Sequence, residues 1–91
     1  MSINPKHQEL EEVDVLSSKE HQIILHNDDV NTFDHVISCL IKYCDHTLEQ
    51  AEQCAYIVHY KGKCVVKTGS FSDLEPRCSM LLKEGLSAEL T

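Results

Sequence analysis

The sequence predicts a small α/β (α+β) domain built as a two-layer sandwich, with three strands and three helices in the order β-α-α-β-α-β. Three observations carry that prediction. Short apolar, β-branched runs bounded by turn formers occur at Ile23-Ile24-Leu25 and at Cys64-Val65-Val66. Apolar residues recur at helical spacing in three separate windows, two between those runs and one after them. Ninety-one residues allow one domain with a modest core and no second. Apolar helix stripes laid on one face of a sheet give this architecture.

The first 19 residues lack sustained periodicity and carry Pro5, Ser17, Ser18 and the acids Glu9, Glu11, Glu12 and Asp14, so residues 1–19 read as a flexible arm ahead of a domain at 20–91. The run Ile23-Ile24-Leu25 is the first strand. Asn31-Thr32-Phe33-Asp34 closes into a helix N-cap. Phe33, Val36, Ile37, Leu40, Ile41 and Cys44 then form one stripe of a helix near 32–44. Thr47-Leu48-Glu49-Gln50 is a capping box for a second helix over about 48–60, with Leu48, Ala51, Ala55 and Val58 as its apolar face and Gly62 as its stop. Lys63 to Thr68, between two glycines, is a strand. Ser70, Ser72 and Asp73 could each cap a third helix, and Ser72 or Asp73 is the expected cap, because Pro76 is best tolerated within a first turn. Leu74, Cys78, Leu81 and Leu82 would be its buried face, and Gly85 would end it before an extended piece, Leu86 to Thr91.

Charge and cysteine usage narrow the function classes. Fifteen acidic against eight basic residues give a formal charge of −7, which repels nucleic acid and anionic membranes and points to protein or cationic-peptide partners. No stretch reaches the roughly 18 apolar residues of a membrane span, and polar residues follow Met1, so a cytoplasmic protein is expected. Cys39, Cys44, Cys54, Cys64 and Cys78 include no Cys-x-x-Cys pair. They read as reduced core thiols, with a mixed His and Cys metal cluster as the alternative. No metal and no cofactor are expected.

The segment that demands a use is Ile23-Ile24-Leu25-His26-Asn27-Asp28-Asp29-Val30, where an apolar strand ends in an amide and two carboxylates at the mouth of a helix. Such groups either make Asx turns or are aimed outward at a cationic donor. A second segment, Val58-His59-Tyr60-Lys61-Gly62-Lys63, closes the second helix with a histidine one turn from its end. Catalysis would need more than an Asp28 and His59 acid and base pair, and the sequence offers no nucleophile elbow, Gly-rich phosphate loop or metal spacing.

Asn27-Asp28-Asp29 after an apolar strand, followed some thirty residues later by Val58-His59-Tyr60-x-Gly62-Lys63, resembles the ClpS adaptors of bacterial ATP-dependent Clp proteases. The similarity runs from about Gln22 to Gly85. It implies a compact sandwich with a three-stranded antiparallel sheet, and a non-enzymatic N-recognin. Such a protein binds the free α-amino group and the large apolar or aromatic side chain of an N-degron and delivers the substrate to the N-terminal domain of a ClpA- or ClpC-type AAA+ unfoldase, engaging it through the N-terminal arm. By this resemblance Asn27, Asp28 and His59 hold the α-amino group, Asp28 directly or through a water. Asp29 matches a position near the peptide backbone, and Asn31, Phe33, Ala55, Val58 and Ala88 match the pocket wall. The chain departs from the family pattern in Asn31 and Thr32, where Thr and Pro are usual, in Phe33 and Ala55, where Met is common, and in a tail without the usual Pro-Leu. The rival expectation is an interaction scaffold with no pocket for an N-terminal residue.

Overall fold

A computed structural model describes residues 20–91; the expected arm, 1–19, lies outside the described residues. The elements are β1 (His21–His26), α1 (Phe33–Cys44), α2 (Leu48–Lys61), β2 (Lys63–Gly69), α3 (Phe71–Lys83) and β3 (Ser87–Leu90), in the predicted order. The sheet is antiparallel with strand order β2-β1-β3, so the first strand is central. Alternation along β1 buries Ile23 and Leu25 completely or nearly so, together with Leu40, Cys44, Ala51, Leu74 and Leu81 from the three helices. The pairing of β1 with β2 slips between Ile23 and Ile24, skipping Val66. This bulge turns the Val66 carbonyl into an acceptor for His46 Nε2 at 2.6 Å, which ties the α1–α2 connection to the sheet.

Each helix begins on a hydroxyl cap. Thr32 Oγ1 accepts from the His35 amide, and Thr47 with Gln50 forms the reciprocal capping box read from the sequence. The third helix departs from expectation, starting at Phe71 with Ser70 as its cap rather than at Ser72 or Asp73. Pro76 therefore sits in its second turn. It removes one helical donor, a loss made tolerable because Ser72, whose carbonyl would have accepted it, is exposed to water.

The buried faces also differ in detail from the simple stripes. Ile41 is 39 % exposed while Cys39, off the predicted stripe, is 4 % exposed. The reason is that α1 is flanked on one side by α2 and on the other by α3, which widens its covered arc toward residues 36, 39, 40, 43 and 44. Leu48 (58 %) and Leu82 (54 %) lie outside the core, at the open end of α2 and on the outer side of α3. All five cysteines are free thiols; Cys39, Cys44 and Cys78 are buried, and Cys54 and Cys64 pack partly buried against the core. Burial pushes the Cys44 thiol up to about 11, and burial followed by the neighbouring Cys64 pushes Cys54 up to about 12. Both are inert protonated hydrophobes at neutral pH.

Candidate functional site

Two loops that are distant in sequence are joined by one backbone bond. The Asn27 amide, the first after β1, donates to the Gly62 carbonyl at 2.9 Å. Gly62 ends α2 in the left-handed region, φ 95°, while its own amide closes onto the Val58 carbonyl. The last turn of α2, with His59, is thereby held beside the loop that carries Asn27, Asp28 and Asp29.

That loop is shaped by Asp28. One carboxylate oxygen accepts from the amides of Val30 and Asn31, both at 2.9 Å, and the other accepts from Asn31 Nδ2 at 2.9 Å and Ser87 Oγ at 3.3 Å. These donors, the Asn31 amide first, hold the Asp28 carboxyl below the usual carboxylate range against the opposing effect of desolvation. With four donors the carboxylate has filled its acceptor sites. Asp28 is thus an Asx-turn organiser with a fixed negative charge. Asn31 spends both amide hydrogens, one on Asp28 and one on the Gly85 carbonyl at 2.9 Å, so it works as a strut between the loop and the α3–β3 corner.

The loop, α1, α2 and the residue after Gly85 surround a cavity of about 380 Å³. This is near the lower end of the roughly 300 to 1,000 Å³ typical of small-ligand pockets, room for a residue or two rather than a long peptide. Asn27, Asp28, Asp29, Asn31, Phe33, Ala55, Val58 and His59 all line it. Ala88 does not. It pairs with Leu25 inside the sheet and packs on the core, and Leu86 is the tail residue at the cavity. An alignment anchored by an absent Pro-Leu could not fix that register. Leu25, His26, Thr32 and Val36 also line the cavity and were missed. His26 Nε2 is engaged by Glu89 at 2.7 Å. The available signal for Leu86 was its position as the first apolar residue after a helix-ending glycine.

The cavity has two chemical zones. Leu25, Val36, Ala55, Val58 and Leu86 are apolar, and the Phe33 ring stands at the rim, edge-on to His59 (5.3 Å, 81°) and to Tyr56 (5.5 Å, 84°). The polar zone holds Asn27, Asp28, Asp29 and His59, and among the described residues that line the cavity there is no Lys or Arg. Acceptors and negative charge beside an apolar hollow suit a cation attached to a hydrophobic group. Among the described residues no helix is long and apolar enough to cross a membrane.

The family model for "ATP-dependent Clp protease adaptor protein ClpS" matches residues 17–89. A ClpS adapter protein of Thermosynechococcus vestitus is 36 % identical over 81 residues, covering 88 % of this chain and 86 % of the relative. One from a Nostoc species is 37 % identical over 68 residues, covering 74 % and 70 %. Among solved structures, that of Agrobacterium tumefaciens ClpS2 bound to L-phenylalaninamide superposes with a TM-score of 0.74 at 20 % identity, over 81 % of this chain and 96 % of that one. The chain therefore belongs to the ClpS family of Clp protease adaptors.

Proposed function

We propose that this adaptor binds the N-terminal residue of N-degron proteins and delivers them to the N-terminal domain of a ClpA- or ClpC-type AAA+ unfoldase. The observation that supports this most is the pairing, in one cavity, of an acidic, acceptor-rich rim with an apolar hollow. An unblocked N-terminus is an ammonium with three donors next to a side chain, and a binder must satisfy both. Asn27 accepts through its amide oxygen and neutral His59 through a ring nitrogen. Asp28, its lone pairs already engaged, contributes chiefly the field of a carboxylate held ionised at neutral pH and the rigidity of the loop. Asp29, exposed at the rim, adds charge near the peptide backbone. The side chain of the bound residue enters over Ala55 and Val58, with Phe33 and Leu86 as walls. The ClpS2 neighbour holds L-phenylalaninamide, a free amine with an aromatic side chain, which is the same chemistry. Nothing in this cycle requires a bond to be made or broken by the adaptor.

The test is delivery. A folded reporter beginning with Phe should be degraded by a reconstituted Clp unfoldase and peptidase faster when this protein is added, and the same reporter beginning with Ser should not. Equal stimulation of both reporters would contradict N-terminal selection.

A further inference from the structure

Where α1 meets the end of α3, three potential metal ligands come together outside the cavity lining. His35 and Cys39 are four residues apart on one helix and so share a face. Glu84, at the C-terminal end of α3, comes up against them. The donor atoms of all three lie within 4.8 Å of one another, and none of the three residues lines the cavity described above.

We propose that His35, Cys39 and Glu84 form a three-ligand site for a tetrahedral divalent transition-metal ion such as Zn2+, a site independent of the N-terminus-binding reading. An ion bound through sulfur at about 2.3 Å and through nitrogen or oxygen at about 2.0 to 2.1 Å needs its ligand atoms roughly 3.5 Å apart. Cys39 Sγ and His35 Nε2 are already 3.7 Å apart. The His35 ring has to turn its Nε2 off the Glu84 carbonyl, 2.9 Å away, and the flexible Glu84 side chain has to close in. Its backbone is fixed, because the Glu84 amide bonds back onto the Met80 and Leu81 carbonyls, and its carboxylate is oriented by the Tyr43 hydroxyl, which donates to Oε2 at 3.0 Å. Oriented ligand carboxylates of this kind are the usual outer support of a metal site. A sulfur, an imidazole and a carboxylate together select zinc-like ions over Mg2+ or Ca2+, which prefer all-oxygen cages.

The charge balance is also favourable. The ion displaces the Cys39 thiol proton to solvent and takes the lone pair of a neutral His35, whose Nε2 gives up its 2.9 Å bond to the Glu84 carbonyl. A dication with one thiolate and one carboxylate is neutral, which suits a pocket where the thiol is otherwise pushed up by burial and then by the Glu84 charge. Water fills the fourth position.

Co2+, which reports its own geometry, is the probe. Titrated into the full-length reduced protein, it should give a thiolate-to-cobalt charge-transfer band and intense tetrahedral visible bands saturating at one ion per chain, and Zn2+ should bleach them. Cys39→Ser should lose the charge-transfer band, with circular dichroism checking the fold. Glu84→Gln, which leaves the core untouched, should weaken Co2+ binding at least tenfold. A Cys54→Ser, Cys64→Ser double variant should keep the full spectrum. The proposal is overturned by a reduced wild type with no such band, by a band that persists in folded Cys39→Ser, by unchanged Co2+ affinity in Glu84→Gln, or by its loss in the Cys54 and Cys64 variant.

Discussion

The Asn27 amide donates to the Gly62 carbonyl at 2.9 Å, and this bond joins the two segments that border the candidate site. Asn27 opens the acidic loop and Gly62 ends the helix that presents His59. Gly62 holds φ at 95°, and a β-carbon there would meet nothing within 4 Å, so the cost of a side chain is conformational rather than steric. Gly62→Ala should therefore destabilise the fold by about 1 to 2 kcal/mol in urea denaturation. It should also weaken peptide binding, because a backbone forced out of the left-handed region misplaces the carbonyl that anchors the loop. Gly62→Asn, which tolerates the left-handed region better, should recover part of both losses.

Asp28 organises the loop with an ionised carboxylate. Its folded-state pKa is depressed, so its stabilisation is present above the ordinary aspartate range and is lost as pH falls below about 4 and through the folded-state value. The protection factors of the Val30 and Asn31 amides, measured against their intrinsic exchange rates, should fall in that window and not above it. Asp28→Ala, which leaves four donors without their acceptor, should cost about 1 to 2 kcal/mol, comparable to loss of a helix cap. Unaltered exchange in Asp28→Ala would mean that the loop is held by something else.

His59 is exposed and edge-packed on Phe33 and Tyr60, so removing it should leave global stability nearly unchanged. The ammonium-acceptor role proposed for it predicts a different result for binding. A hydrogen bond to a charged group contributes about 1.5 to 3 kcal/mol, so His59→Ala should weaken a Leu-initiated peptide by roughly ten- to a hundredfold in fluorescence anisotropy. A change under threefold would remove His59 from the amine site.

On the proposed function, specificity among apolar first residues would rest on Ala55. The alanine is buried at the cavity wall, and Phe33 is held edge-on by Tyr56 and His59 rather than free to fold inward. The space beside the β-carbon of a bound residue should stay open, so Ile- and Val-initiated peptides should bind within about 1 to 3 kcal/mol of Leu. Ala55→Met should penalise Ile and Val while sparing Leu and Phe. Equal rejection of Ile and Val by both proteins would show that Ala55 does not gate the pocket.

Deletion of residues 1–19 should separate binding from delivery. The truncated protein should retain peptide affinity and lose the ability to stimulate degradation by the unfoldase and peptidase. Undiminished degradation would make the arm a passive tail.

The element order was legible because each element carries its own local signal, such as the Thr47 and Gln50 capping box or the β-branched runs. What escaped was set by tertiary context. Ser70 outcompeted Ser72 and Asp73 as a cap because the chain leaving β2 turns immediately, and Cys39 entered the core because α1 is covered from two sides. At the cavity, the presence of Asn27, Asp28, Asp29 and His59 in the lining was readable from type and order. Three things were not: the saturation of Asp28 by donors as distant as Ser87, the substitution of Leu86 for Ala88 at the cavity, and the approach of Glu84 to the His35-x-x-x-Cys39 pair. Each depends on where β3 and the end of α3 return, which no local pattern encodes.

Recognition of a free amine by the cavity is tested most directly by blocking that amine. Two Leu-initiated peptides, identical except that one is N-acetylated, should be compared by fluorescence anisotropy at neutral pH. Acetylation removes the positive charge and two of three donors, each charge-assisted bond contributing about 1.5 to 3 kcal/mol, so the acetylated peptide should bind more than tenfold more weakly. Equal affinity for the two peptides would contradict the account.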